Sequence, residues 1–234
     1  GVYGFASETN YQRLAADGFN CIQLYGSLAL KGREKSAEPL QDLLAGMDLI
    51  QQSGLKLIFS LKDQFPHHPS ARGEFGEARG IDAVSDAVVK TVRNHPALLA
   101  WYVSDEEPRD KIPEVLGLRT RISNIDPWNP TWTLTYRYED LPRYGVSGDI
   151  IGVDPYPINE RHEPQSITKV REAMSAANST GLPCWVVPQI FNWGIYHLSD
   201  DPASFRASRF PTLGEMRAMP LYAAMLGARG FVFY

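Results

Sequence analysis

At 234 residues, with 44% hydrophobic side chains, the chain can bury a sizeable core, which argues against a disordered chain. A formal net charge of −4 argues against a nucleic-acid partner and against an anionic membrane surface. No run of roughly 18 apolar residues occurs, so no membrane span is expected. Cys21 and Cys184 both fall in predicted strands far apart in sequence, which reads as two buried thiols and carries no information on the redox compartment.

Gly1 to Phe5 reads as a first strand, and the residues around Glu8 to Ala16 as a helix stopped by Asp17-Gly18, where glycine supplies the positive φ. Phe19 to Tyr25 is the second strand, and Gly26 to Glu38 a polar loop. Pro39 sits in the first turn of a helix whose apolar face is Leu40, Leu43, Leu44, Met47 and Ile50. Ser53-Gly54 closes it, and Leu55 to Leu61 forms a third strand that runs out into Lys62, Asp63 and Gln64. A loop with His67, His68 and several glycines leads to a helix carrying Ile81, Val84, Val88 and Val92. That helix must stop at His95-Pro96, where the fourth strand, Ala97 to Ser104, begins. This strand is a short apolar run, and it delivers Asp105, Glu106 and Glu107 side by side. Each acid would cost several kcal/mol in a dry core without a partner, so the three are expected to face a polar cavity.

Ile112 to Ile125 is helical and stopped by Asp126-Pro127. Thr131 to Thr135, the fifth strand, leads to Tyr136 and Arg137, and the link to the sixth, Asp149 to Val153, is too short for more than a helical turn. Asp154-Pro155-Tyr156-Pro157 follows. A helix from about Ser166 to Asn178 ends near Gly181, and Pro183 to Pro188, the seventh strand, delivers Gln189, Asn192 and Trp193. After a long loop, Leu213 to Leu226 is helical, and Phe231 to Tyr234 is the eighth strand. Eight strands mostly separated by helices predict an α/β fold with a parallel sheet: one (β/α)8 TIM barrel, a single domain over residues 1–234 with its last helix missing. A strand at each end reads as a domain cut from a longer protein, with no signal or transit segment preceding it and other domains of the same polypeptide as its neighbours. Its compartment is not readable, secretion and the periplasm both being compatible.

In such a barrel the carboxyl ends of the strands share one mouth. Here they carry Tyr3, Gln23, Tyr25, Lys62, Asp63, Asp105, Glu106, Tyr136, Arg137, Asp154, Tyr156, Gln189, Asn192 and Trp193. Aromatic faces beside carboxylates and amides suit a polyhydroxylated ligand, the rings covering C–H faces while polar groups meet hydroxyls. Cleaving a glycosidic bond takes one carboxylic acid to protonate the leaving oxygen and usually a second carboxylate opposite it. No phosphate cradle, dinucleotide fingerprint or metal-ligand spacing is present, so no cofactor and no metal are expected.

The run Trp101-Tyr102-Val103-Ser104-Asp105-Glu106 resembles the fourth strand of clan A glycoside hydrolases, where Trp leads to an Asn-Glu or Asp-Glu pair, often with Pro just after. Asp149 to Pro157, Pro183 to Trp193 and Glu215 to Tyr234 extend the similarity over most of the chain. The resemblance implies a carbohydrate substrate, Glu106 as general acid/base, Asp105 in place of the family's Asn, and Glu107 as an extra acid. A one-residue shift would make Glu107 the acid instead. The family's nucleophilic Glu at the end of strand 7 is matched here by Gln189, and its frequent Arg at the end of strand 2 by Gln23 and Tyr25. A neutral amide cannot attack an anomeric carbon as a carboxylate does. Asp154 is then the best remaining carboxylate; two strands away across the mouth, it is expected to leave room for a water, the spacing of roughly 6.5–9.5 Å that an inverting pair needs.

Two functions from different classes follow. One is hydrolysis of O-glycosidic bonds in an oligo- or polysaccharide. In it Glu106 is the acid and Asp154 the base or electrostatic stabiliser, while Tyr25, Lys62, Tyr136, Tyr156, Gln189, Asn192 and Trp193 bind substrate. The other is a barrel that binds carbohydrate, or serves as a scaffold, without cleaving it; Gln189 favours this one. Plainer readings stand beside them: Glu106 in an ion pair with Lys62 or Arg137, Asp154 as an Asp-Pro turn former, Glu107 as a solvated loop acid. Glu215 forms a capping box with Thr212. Lys62 as a Schiff-base amine runs against the acids expected around it, which keep it protonated. His67, His68, His162 and His197 read as loop residues, and Trp128 and Trp185 as core or helix-packing residues.

Overall fold

The computed structural model describes residues 1–4, 10–29, 38–158, 166–197 and 202–234. Phe5, Glu8 and His162 lie outside the described residues. The elements run β1 (Val2–Gly4), α1 (Tyr11–Ala16), β2 (Cys21–Leu24), α2 (Pro39–Gln52), β3 (Lys56–Ser60), β4 (Glu74–Phe75), β5 (Ala78–Arg79), α3 (Ile81–Val92), β6 (Leu98–Asp105) and α4 (Ile112–Ile125). They continue with β7 (Thr131–Leu134), α5 (Leu141–Tyr144), β8 (Ile150–Val153), α6 (Thr168–Asn178), β9 (Cys184–Val186), α7 (Pro202–Ala207), α8 (Leu213–Met225) and β10 (Gly230–Phe231). Eight strands pair in sequence order, β1-β2-β3-β6-β7-β8-β9-β10. Neighbours are parallel, as in Tyr3 opposite Gln23 and Ile58 opposite Ala100. Parallel strands in chain order with helices between them make a (β/α)8 TIM barrel. Among the described residues no helix is long and apolar enough to cross a membrane.

Most boundaries fall where the local chemistry puts them. Gly18 takes φ +91 just past α1, and Asp126 stops α4 at the expected place. The seventh strand is shorter than expected, since Pro183 and Pro188, which carry no backbone N–H, stay outside it. At the eighth, Gly230 sits where a Cβ would come 2.7 Å from the Trp185 ring, so only glycine fits. The link before β8 holds α5, a single short helix flanked by 3₁₀ turns. Two elements were not expected: the antiparallel hairpin β4–β5 and the short helix α7. Trp128 is a correction. Its side chain is 89% exposed, not packed, because the Asp126 carboxylate accepts from the Trp128 and Asn129 amides and turns the loop outward.

By its internal contacts the chain divides into two compact units, Gly1–Thr133 with Val146–Asp149, and Leu134–Gly145 with Ile150–Tyr234. In unit 1, Leu43, Met47 and Ile50 of α2, Val84, Val88 and Val92 of α3, and Val115, Leu118 and Ile122 of α4 belong to one core with Leu57, Phe59, Trp101 and Val103 of the sheet. Strand side chains alternate faces, so Ile58, Ser60, Ala100, Tyr102 and Ser104 point the other way, toward the inside of the sheet. The Trp101 indole is buried with its N–H donating to Asp126 Oδ2 at 2.8 Å. In unit 2, Val170, Ala173, Met174 and Ala177 are the buried face of α6. Cys21 and Cys184 are both free and buried, and burial pushes the Cys184 thiol up to about 12.

Candidate active site

In unit 1 the site grows from the ends of β3 and β6. Lys62 Nζ lies 2.7 Å from Asp63 Oδ1 and 3.3 Å from Asp105 Oδ2, and 5.1 Å over the Tyr25 ring. Burial works to lower the Lys62 pKa, but Asp105 and Asp63 outweigh it and the net shift is upward. Lys62 therefore keeps its proton and offers no free amine. Tyr3 Oη donates to Tyr102 Oη at 3.2 Å, Tyr102 stacks on Trp132 at 4.3 Å, and Tyr3 lies 5.4 Å from Tyr25. Burial first, then the Asp105 charge, raises the Tyr102 phenol well above its ordinary value, so it stays a donor. Gln23 is fully buried beside Tyr3, and neither of its amide atoms has a hydrogen-bond partner among the described residues.

The three acids after the fourth barrel strand have three different settings. Asp105 pairs with Lys62. Glu106 takes φ +58, the left-handed region that glutamate rarely enters, and keeps partial solvent exposure. The bend there turns Glu107 back into the protein, where it is 8% exposed. Glu107 Oε2 accepts from His67 Nε2 at 3.0 Å, and His67 Nδ1 donates to Glu114 Oε2 at 2.8 Å. Glu107 is thus not the solvated loop acid expected from the sequence. A carboxylate at each ring nitrogen favours the imidazolium form of His67; desolvation opposes its charge, but bonds to Glu114 and Glu107 raise its pKa. His68 receives the Ser70 amide on Nδ1, which puts its proton on Nε2, 3.2 Å from Asp63 Oδ1.

In unit 2, Asp154 is buried after β8 and lies near Tyr138 and Lys169. Burial first, then Asp154 and Glu172, raises the Tyr138 phenol well above its ordinary range. Lys169, at the start of α6, is lowered by burial despite the same two acids, and its Nζ donates to Tyr156 O at 3.1 Å. Gln189 is fully buried and spends its amide on backbone: Oε1 accepts from Ile158 N at 3.0 Å, and Nε2 donates to the carbonyls of Ile158 and Phe191. Asn192 likewise accepts from Gly194 N at 2.9 Å and donates to Phe205 O. Tyr156, Phe191, Trp193, Tyr196 and Tyr234 form one cluster of rings, with Phe191 5.0 Å from Tyr156 and 5.0 Å from Trp193. Tyr136 is half exposed, with the Arg137 guanidinium 4.8 Å over its ring.

Solved structures match this fold. An endoglucanase Cel5A from Pseudomonas stutzeri aligns at a TM-score of 0.63 with 12% identity, over 96% of this chain and 75% of its own. A β-galactosidase from the haloarchaeon Halorubrum lacusprofundi aligns at 0.67 with 13% identity, over 100% of this chain and 52% of its own. A GH10 xylanase from Thermobacillus composti aligns at 0.56 with 17% identity, over 100% and 83%. The chain has the (β/α)8 barrel fold of these structures. No family model matches it, and no curated protein matches it in sequence. At these identities the likeness is one of fold.

Within the barrel, the residues expected from the sequence divide by what they touch. Tyr25, Lys62 and Asp105 come together in unit 1, with Glu106 next in line. Tyr156 and Trp193 come together in unit 2. Gln189 and Asn192 hold loop backbone. The sequence reading passed over Tyr102, Tyr138 and Lys169, and gave His67 no role. The His67 contacts lie 40 and 47 positions away, beyond any local spacing rule. For Lys169 a signal existed: a lysine in the first turn of a helix that follows Asp154.

Proposed function

We propose that this chain hydrolyses O-glycosidic bonds of a carbohydrate, with Glu106 as the general acid. The observation that carries the reading is the division of labour at the end of β6. Asp105 pairs with Lys62 and Glu107 is buried against His67, while Glu106 between them keeps partial solvent exposure. A backbone held at a sparsely populated φ is a recurrent mark of functional positions. Lys62 and Tyr25 supply donors for sugar hydroxyls beside it, and Tyr156 and Trp193 offer ring faces for C–H surfaces. Asp154 is the candidate second carboxylate, acting as base or electrostatic stabiliser.

The test uses natural oligosaccharides and 2,4-dinitrophenyl glycosides, whose leaving group needs no proton. Glu106→Gln should slow the oligosaccharides by about 10²–10⁴-fold, the usual worth of a general acid, and spare the activated substrates. Equal loss on both, or no loss, removes Glu106 from the acid role; Glu107→Gln run alongside tests the one-residue shift. Asp154→Asn should slow both substrate classes. A second reading, a barrel that binds sugar without cleaving it, is favoured by Gln189, a neutral amide occupied by backbone. Sugar binding by the intact chain with no turnover of any substrate would establish it.

A further inference from the structure

Between the loops that follow β2 and β3, unit 1 carries a pocket of about 330 Å³ lined in part by Tyr25, Ser60, Asp63, Gln64, Ser70 and Arg72. That size falls within the range of small-molecule clefts, roughly 300–1,000 Å³. Its two charged side chains are in opposite situations. Asp63 Oδ1 lies 2.7 Å from Lys62 Nζ and 3.2 Å from His68 Nε2, so its charge is met inside the protein. Arg72 has no ion-pair partner among the described residues. Its guanidinium lies 6.0 Å from the centre of the Phe75 ring, a contact that offers no acceptor to its five N–H donors. The backbone that carries it is fixed: the buried Gln64 accepts from Arg72 N at 2.7 Å and donates to Arg72 O at 3.3 Å.

We propose that this pocket receives a hexuronate residue of the substrate, its carboxylate paired with Arg72 and its ring hydroxyls meeting Ser70 and Tyr25. The inference rests on the carbohydrate reading above and names the sugar class. A planar carboxylate matches the guanidinium fork with two parallel charge-assisted bonds. Lys62 does not compete for the carboxylate, being held between Asp63 and Asp105.

The experiment is calorimetric titration of the chain with methyl β-D-glucuronide, methyl β-D-glucoside and the glucoside 6-sulfate at one pH and ionic strength. The glucuronide should bind at least about 10-fold tighter than the glucoside, the scale of one hydrogen-bonded charge pair. Arg72→Gln should bring that ratio to one, and Arg72→Lys should restore part of it. Equal binding of glucuronide and glucoside by the wild type, or a ratio unchanged in both variants, overturns the inference. Tighter binding of the sulfate than of the glucuronide overturns the carboxylate assignment. Binding needs no turnover, so the two readings fail separately. Hydrolysis of neutral glycosides without uronide preference leaves the enzyme and removes the uronate site; an Arg72-dependent preference without hydrolysis does the reverse.

Discussion

Glu106 holds a backbone conformation, φ +58, that a side chain with a Cβ adopts at a cost of about 1–2 kcal/mol. Glycine adopts it without that strain but loses more freedom on folding. Glu106→Gly should therefore leave the chain as stable or raise its stability by up to about 1 kcal/mol, read by urea denaturation, while slowing oligosaccharide turnover as the proposed acid role requires. A clear loss of stability would mean that the Glu106 side chain is itself a structural tie. At this scale the sequence located the cluster but not its inner distinctions. Three consecutive acids before Pro108 advertise a polar cavity; which is paired, buried or presented depends on one torsion angle and on His67, neither of which leaves a mark in the neighbouring letters. The Glu215 capping box was legible, because its partner Thr212 is three residues away; the bidentate contact with Arg209 that holds its carboxyl at about 2 was not read from the sequence.

Among the elements, the loop after β3 is tied down by His67, which joins Glu107 at the end of β6 to Glu114 in the first turn of α4. Glu114 is held below its ordinary 4.5 by Lys111 first and His67 next. The raised imidazole contributes stability fully below its ordinary 6.5, and that contribution fades as pH climbs through the higher folded value. The lowered carboxyl contributes above 4.5 and fades as pH falls through its folded value. The tie is therefore complete between pH 4.5 and 6.5. Comparing wild type with His67→Asn should show a melting-temperature gap of about 1–3 °C in that window, the scale of a solvent-screened pair, narrowing on the alkaline side. A gap of constant size across pH would rule out the imidazolium. Helices such as α4 were readable from apolar spacing and from the Asp126 stop. The hairpin β4–β5 was not, since two-residue strands carry no alternation to detect.

For the molecule as a whole, eight apolar strands, most of them separated by amphipathic helices, were enough to specify the barrel, because parallel strands must be covered by intervening helices. The division into two compact units was not readable, as β7 runs through the boundary without a glycine- or proline-rich break. The five tryptophans are distributed in a way that has an optical consequence. Trp101 and Trp132 are sealed in the interior, whereas the Trp128 indole stands in water. Emission from Trp128 should lie to the red and be extinguished by iodide, leaving the blue interior signal untouched. Trp128→Phe should delete most of that quenchable fraction, Trp185 and Trp193 being only partly exposed. In the Trp128→Phe protein, dimming on adding sugar that a further Trp193→Phe change removes would report on Trp193 and its ring neighbours, giving a label-free readout of ligand arrival that does not depend on bond cleavage.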